Sequence, residues 1–128
     1  MDSSNFFLLG HSWGGILATE YALKYQKNLK GLIISNMVPS IPDYVKYANE
    51  VLGPKLPKEV LASIRAFEAK GDYTNPAYLK IVTDYYYPEH VLRMPAANWP
   101  DPVKRAFARM NYPLYLKMQG PSEFGVVG

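Results

Sequence analysis

The chain has 128 residues, 48% of them hydrophobic and 20% charged, with no cysteine and a formal net charge of +3. That composition is globular and excludes collagen-like, disordered and disulfide-stapled classes, and the lack of cysteine removes thiolate metal sites and a cysteine nucleophile. No apolar run approaches the roughly 20 residues that span a bilayer. The basic residues are scattered among acids, which reads as a solvated surface and not as a nucleic-acid or membrane partner. The opening Met1-Asp2-Ser3-Ser4-Asn5 has no basic leader region, so a cytoplasmic location is expected.

Phe6-Phe7-Leu8-Leu9 is a continuous apolar run ending in Gly10, the pattern of a strand buried on both faces of a parallel sheet. Residues 14–26 turn helical, with Ile16, Leu17, Ala22 and Leu23 on one face and Glu20, Lys24 and Lys27 toward water. Asn28 closes that segment, and Gly31-Leu32-Ile33-Ile34-Ser35 reads as a second buried strand. Strand, helix and strand in this compass make a βαβ unit, so the strands are expected to be parallel with a right-handed crossover.

Beyond Met37 prolines punctuate the chain and no further strand pattern appears. Residues 41–52 form a possible helix, and residues 57–70 a better one, with Val60, Leu61, Ile64 and Phe67 at helical spacing and Gly71 at its end. Asn75 caps another, with Pro76 first and Tyr78, Leu79, Val82, Tyr85 and Tyr86 along one face. Residues 99–110 and 112–118 supply two more. The division expected is a partial core over residues 1–38, a helical cap over 39–119 and a segment over 120–128 returning toward the core. Two strands alone leave apolar faces and open edges, so the chain is expected to be a fragment.

Chemistry is concentrated in Gly10-His11-Ser12-Trp13-Gly14, a G-x-S-x-G with a strand before it and a helix after it. The chain must reverse within a few residues there, which strains the central residue and lifts the Ser12 hydroxyl clear of the sheet. Gly10 and Gly14 let strand and helix approach closely. The helix start leaves backbone N–H groups free, so the Trp13 N–H would be one donor to an oxyanion. Ser12 is therefore the candidate nucleophile. His11 adjoins Ser12 in sequence, where a sharp turn makes neighbouring side chains diverge, so it is expected to pack or hydrogen-bond and not to act as the base. His90 with Asp72 or Asp84 satisfies the acid–base chain order only formally. No cofactor is expected, and no metal, because neither histidine has a ligand partner at useful spacing.

Gly10-His11-Ser12-Trp13-Gly14-Gly15, followed by Ala22-Leu23-Lys24-Tyr25 and Leu29-Lys30-Gly31-Leu32-Ile33, resembles the core of an α/β-hydrolase. More narrowly, together with Tyr73-Thr74-Asn75-Pro76-Ala77-Tyr78 and Met118-Gln119-Gly120-Pro121-Ser122-Glu123-Phe124, the chain resembles the proline iminopeptidases nearly throughout its length. The fold class implied is α/β: a partial α/β-hydrolase fold in which a βαβ unit with a nucleophile elbow precedes a mainly helical cap. The resemblance implies a serine peptidase that releases an N-terminal residue, often proline, from short peptides through an acyl-enzyme. Ser12 would attack, Trp13 N–H would help hold the oxyanion, and Glu123 would receive the substrate α-ammonium. Tyr115 stands where the family has a tyrosine near the site. The tyrosine-rich stretch Tyr85-Tyr86-Tyr87 reads as cap core, or as the lining of a pocket for a proline ring.

The family's His-Gly-Gly-Pro segment and its catalytic aspartate and histidine are absent from these residues, so the remainder of the core is expected elsewhere and the isolated chain is expected to be inactive. Two other readings share the elbow. One is a capped esterase or lipase-like hydrolase, which only the cap separates from a peptidase. The other is a non-catalytic interaction module derived from the same fold.

Overall fold

The computed structural model describes residues 4–127. The chain divides into two compact units, one reaching to Ser40 and the other starting at Ile41.

The first unit is strand, helix, strand: β1 (Phe6–His11), α1 (Trp13–Tyr25) and β2 (Leu29–Ser35), with a 3₁₀ turn over Gln26–Asn28 joining α1 to β2. The strands are parallel, as expected, and pair from Phe6 with Leu29 to His11 with Ser35. Each is two residues longer than the apolar run that announced it. Their burial departs from expectation. Gly10 is buried and Phe6 and Leu8 are partly so, but Phe7 is 67% and Leu9 62% exposed. The reason is the two-residue period of a strand: α1 covers one face of the sheet, and Phe7, Leu9 and His11 alternate onto the other.

The second unit is helical. α2 (Ile41–Tyr47) runs into a π-helical turn over Ala48–Leu52 and a 3₁₀ turn over Gly53–Lys55, so the single helix expected across residues 41–52 is in fact regular only in its first half. α3 (Lys58–Ala69) begins after Pro57, which stays extended at φ −52° and ψ 138°. α4 (Pro76–Ile81) starts as its sequence predicts, with the Asn75 side chain accepting from Ala77 N at 2.9 Å. A π-helical turn over Val82–Tyr86 then leads into α5 (Tyr87–His90). α6 (Asp101–Ala108) is shorter than the stretch 99–110, because Trp99 and Pro100 remain extended before it. α7 (Tyr112–Met118) completes the series.

A buried cluster holds this unit together: Ala48, Leu52, Ile64, Tyr78, Val82, Tyr86, Tyr87, Trp99 and Phe124. Leu61 and Phe67 of α3 and Val103 and Phe107 of α6 pack against it, which is what their helical spacing requires. The Tyr87 and Trp99 rings stack with centroids 6.3 Å apart. Residues 120–127 belong to the same unit, with Phe124 and Val126 buried. Among the described residues no helix is long and apolar enough to cross a membrane.

Candidate active site

Ser12 joins β1 to α1 with φ 53° and ψ −129°, a left-handed conformation that a side-chain-bearing residue adopts only where its surroundings enforce it. The enforcement is visible on both sides. Ser12 N donates to Ser35 O at 2.9 Å, which ties the turn to the end of β2, and Gly15 N donates to Ser12 O at 2.8 Å, which starts α1. A Cβ placed on Gly10 would lie 2.4 Å from Gly14 O and 2.7 Å from Ala18 Cβ, so this close approach of strand and helix requires glycine. The same reason does not extend to Gly14, where a Cβ would meet nothing within 4 Å; the second tight spot is Gly15, packed on the Met37 side chain.

The Ser12 side chain does not cap α1, and the first turn of α1 carries no acidic residue. The hydroxyl is thus not spent on the helix start, and the positive end of the helix dipole beside it is uncompensated. Trp13 is the first residue of α1, where no preceding turn offers a carbonyl to its N–H. His11 is exposed rather than packed, since it shares the uncovered face with Phe7 and Leu9.

His90 lies against Tyr86, with ring centroids 4.5 Å apart. Neither carboxylate formally available to it is engaged there: Asp84 pairs with Lys80, and Asp72 accepts from Asn75 Nδ2 at 2.8 Å. No acid–base pair is assembled at His90. Among the described residues no group of acidic or histidine side chains is arranged to hold a metal ion.

Glu123 is the centre of a second constellation, wholly within the second unit. Gly120, at φ 122°, reverses the chain after α7, and a Cβ there would fall 2.5 Å from Gly125 O. The buried Ser122 hydroxyl receives Phe124 N at 3.2 Å, Gly125 N at 2.9 Å and the Tyr78 hydroxyl at 3.0 Å. Tyr112 Oη is 2.9 Å from Pro121 O, and Tyr44 Oη donates to the Glu123 carbonyl. With Tyr44's proton committed there, Tyr86 Oη donates to Tyr44 Oη at 3.0 Å. The Glu123 carboxylate itself is half-buried, and Tyr115 Oη donates to its Oε1 at 2.8 Å.

The phenols around this segment are all pushed above their ordinary range. For Tyr44 and Tyr115 burial is the largest cause, and the negative charge of Glu123 adds to it; the same holds for Tyr87. They therefore stay protonated, as hydrogen-bond donors, at neutral pH. Tyr115 and Glu123, singled out from sequence, are brought together. Tyr44 and Gln119 were missed. Tyr86 and Tyr87 are buried core, while Tyr85 is 48% exposed.

The family described as "Serine aminopeptidase, S33" matches residues 2–110. That match contains the elbow and stops short of Tyr115 and Glu123. A proline iminopeptidase of Chitinophaga pinensis is 50% identical over 128 residues, covering 100% of this chain and 43% of its own length. The crystal structure of VinJ is similar over 98% of this chain and 42% of that one, with a TM-score of 0.87 and 29% identity. The crystal structure of a Mycobacterium smegmatis proline iminopeptidase is similar over 98% of this chain and 41% of that one, with a TM-score of 0.73 and 35% identity. The chain spans about two-fifths of the length of these relatives.

Proposed function

Since the chain belongs to the serine aminopeptidase S33 family and carries part of the α/β-hydrolase fold, we propose that it is the nucleophile- and cap-bearing part of a proline iminopeptidase, releasing N-terminal proline or a similar residue from short peptides. The observation that carries the reading is the left-handed Ser12 at the join of β1 and α1. A residue held at that conformation, tied to Ser35 O and Gly15 N, presents its hydroxyl at the start of a helix where backbone N–H groups stand free. Ser12 would attack the scissile carbonyl, and Trp13 N–H would stabilise the oxygen that becomes negative. Glu123 would receive the substrate's α-ammonium, beside Tyr115. A carboxylate that is half out of water pairs firmly with a cation, and such a pairing favours removal of terminal residues over cleavage within a peptide.

The acid and base that activate Ser12 are assigned to the part of the protein outside these 128 residues; the engaged states of Asp72 and Asp84 support this. The divisions at residues 38 and 119 and a cytoplasmic location belong to the same proposal. The name of the Chitinophaga pinensis relative favours a peptidase over an esterase.

The test is turnover of prolyl-p-nitroanilide. The 128-residue chain alone is expected to show none above background. A chimera in which these residues replace the matched segment of the Chitinophaga pinensis relative is expected to be active, and Ser12→Ala in it to lower kcat by at least about 10³-fold. Turnover by the chain alone that survives Ser12→Ala, or an active chimera indifferent to Ser12, would sink the reading.

A further inference from the structure

Glu123 has two carboxylate oxygens, and the protein uses them unequally. Oε1 accepts from Tyr115 Oη at 2.8 Å, and Tyr115 Oη in turn accepts from Gln119 Nε2 at 3.1 Å. A phenol has one proton. With the Gln119 amide donating to its oxygen, Tyr115 has a fixed direction in which to spend that proton, namely toward Glu123. Among the described residues no buried side-chain oxygen lacks a partner. Oε2 has no hydrogen-bond partner among the described residues, so it is not sealed off, and it is the oxygen left for an incoming group.

The origin of the Gln119 side chain is fixed as well. It follows α7 directly, its N–H donates to Tyr115 O at 2.9 Å, and its carbonyl accepts from Val127 N at 2.8 Å. Tyr115 and Gln119 are one helical turn apart, so their side chains lie on the same face. The tight turn at Gly120 brings Glu123 back to that face.

We propose that Gln119 is a positioning residue for Glu123: by donating to Tyr115 it directs the tyrosine proton onto Oε1 and leaves Oε2 as the acceptor for a substrate's ammonium group. The inference rests on the reading of Glu123 as the ammonium receptor. Its consequence is specific. A carboxylate pinned through one oxygen offers the other at a fixed angle, so a charged primary or secondary amine gains a preformed partner. An N-acylated proline, a tertiary amide with neither charge nor N–H at that nitrogen, gains nothing. Gln119 itself touches no substrate and works only through Tyr115.

The experiment is a double-mutant cycle on binding of L-prolinamide, with N-acetyl-L-prolinamide as control, followed by the amide resonances of Gly120 and Glu123 in the full 128-residue chain. The unaltered chain is expected to bind prolinamide in preference to the acetylated form. Gln119→Met, which keeps length but removes the donor, is expected to weaken prolinamide binding about three- to tenfold, and Tyr115→Phe by at least as much. The double variant is expected to be no weaker than Tyr115→Phe alone, because the two residues act in series. In the active chimera the Gln119→Met loss is expected in KM and not in kcat.

A Gln119→Met chain that binds as well as the parent overturns the inference. So does a loss that persists undiminished in the Tyr115→Phe background, or one that falls on kcat alone in the chimera. If the unaltered chain and the chimera do not distinguish prolinamide from its acetylated form, it is the reading of Glu123 that fails, and Gln119 has no task to perform.

Discussion

The two units solve opposite problems. The first shapes its candidate residue from backbone alone: a parallel pair of strands, a helix packed on one face and a glycine at the point of closest approach hold Ser12 in its unusual conformation. It does this while leaving Phe7, Leu9, Leu23 and Ile33 largely exposed. The second unit buries a continuous cluster and positions Glu123 through side chains, by way of tyrosine hydroxyls drawn from α2, α4 and α7. A strained elbow needs few long-range contacts, whereas a carboxylate held by phenols needs a finished core around it.

The contrast predicts where truncation hurts. Ile64→Ala removes a side chain that is 0% exposed and is expected to cost about 2–5 kcal/mol in the second unit, measured by denaturant unfolding followed at its amides. Leu9→Ala, at a position 62% exposed, is expected to change the stability of the first unit by no more than about 0.5 kcal/mol. Comparable losses at both positions would mean that the open sheet face is covered in solution and the contrast is false.

A sharper probe leaves the core untouched. Gly10→Ala adds one methyl where Gly14 O and the Gly15 backbone already stand within 2.7 Å, so strand and helix must separate. The expected cost is roughly 1–3 kcal/mol, read by hydrogen exchange at the amides of β1 and α1. Gly14→Ala is the control: a Cβ there meets nothing within 4 Å, so its effect on the same amides should be clearly smaller. Equal effects would show that packing does not set the elbow.

How much of this was legible in the sequence follows the same division. The β1–α1–β2 unit was legible because its signals are local: two apolar runs, a G-x-S-x-G between strand and helix, and a helical period. What local pattern did not show is which strand face α1 would cover. In the helical unit the periodicity located the helices but not the π-helical turns at Ala48–Leu52 and Val82–Tyr86, since one extra residue per turn barely disturbs an apolar stripe. Glu123 was visible through its motif; its partner Tyr44, 79 residues away, was not, because no spacing rule reaches across a tertiary contact. Gln119 stood within reach. A tyrosine and a glutamine one helical turn apart are a readable pair, but only the turn at Gly120 shows that Glu123 returns to them.

The smallest expected effect tests whether the second unit's aromatic core reaches its margin. The imidazole of His90, largely exposed but with its ring tilted 45° against that of Tyr86, has its pKa lowered, chiefly because partial burial penalises the charged form; Glu89 opposes this and Lys55 and Arg93 add to it. The folded state then binds the His90 proton less readily than the unfolded chain does. The stabilisation from this group is therefore complete above the ordinary histidine range, declines as pH falls through that range toward the lowered folded value, and is gone below it. Thermal unfolding of the parent chain should lose more stability between pH 7.5 and 5 than that of His90→Gln, in which this titrating group is gone and the rest of the chain is unchanged. A steeper loss in His90→Gln would reverse the sign and place His90 as a group that the fold prefers charged, held by Glu89 rather than pressed against the Tyr86 ring.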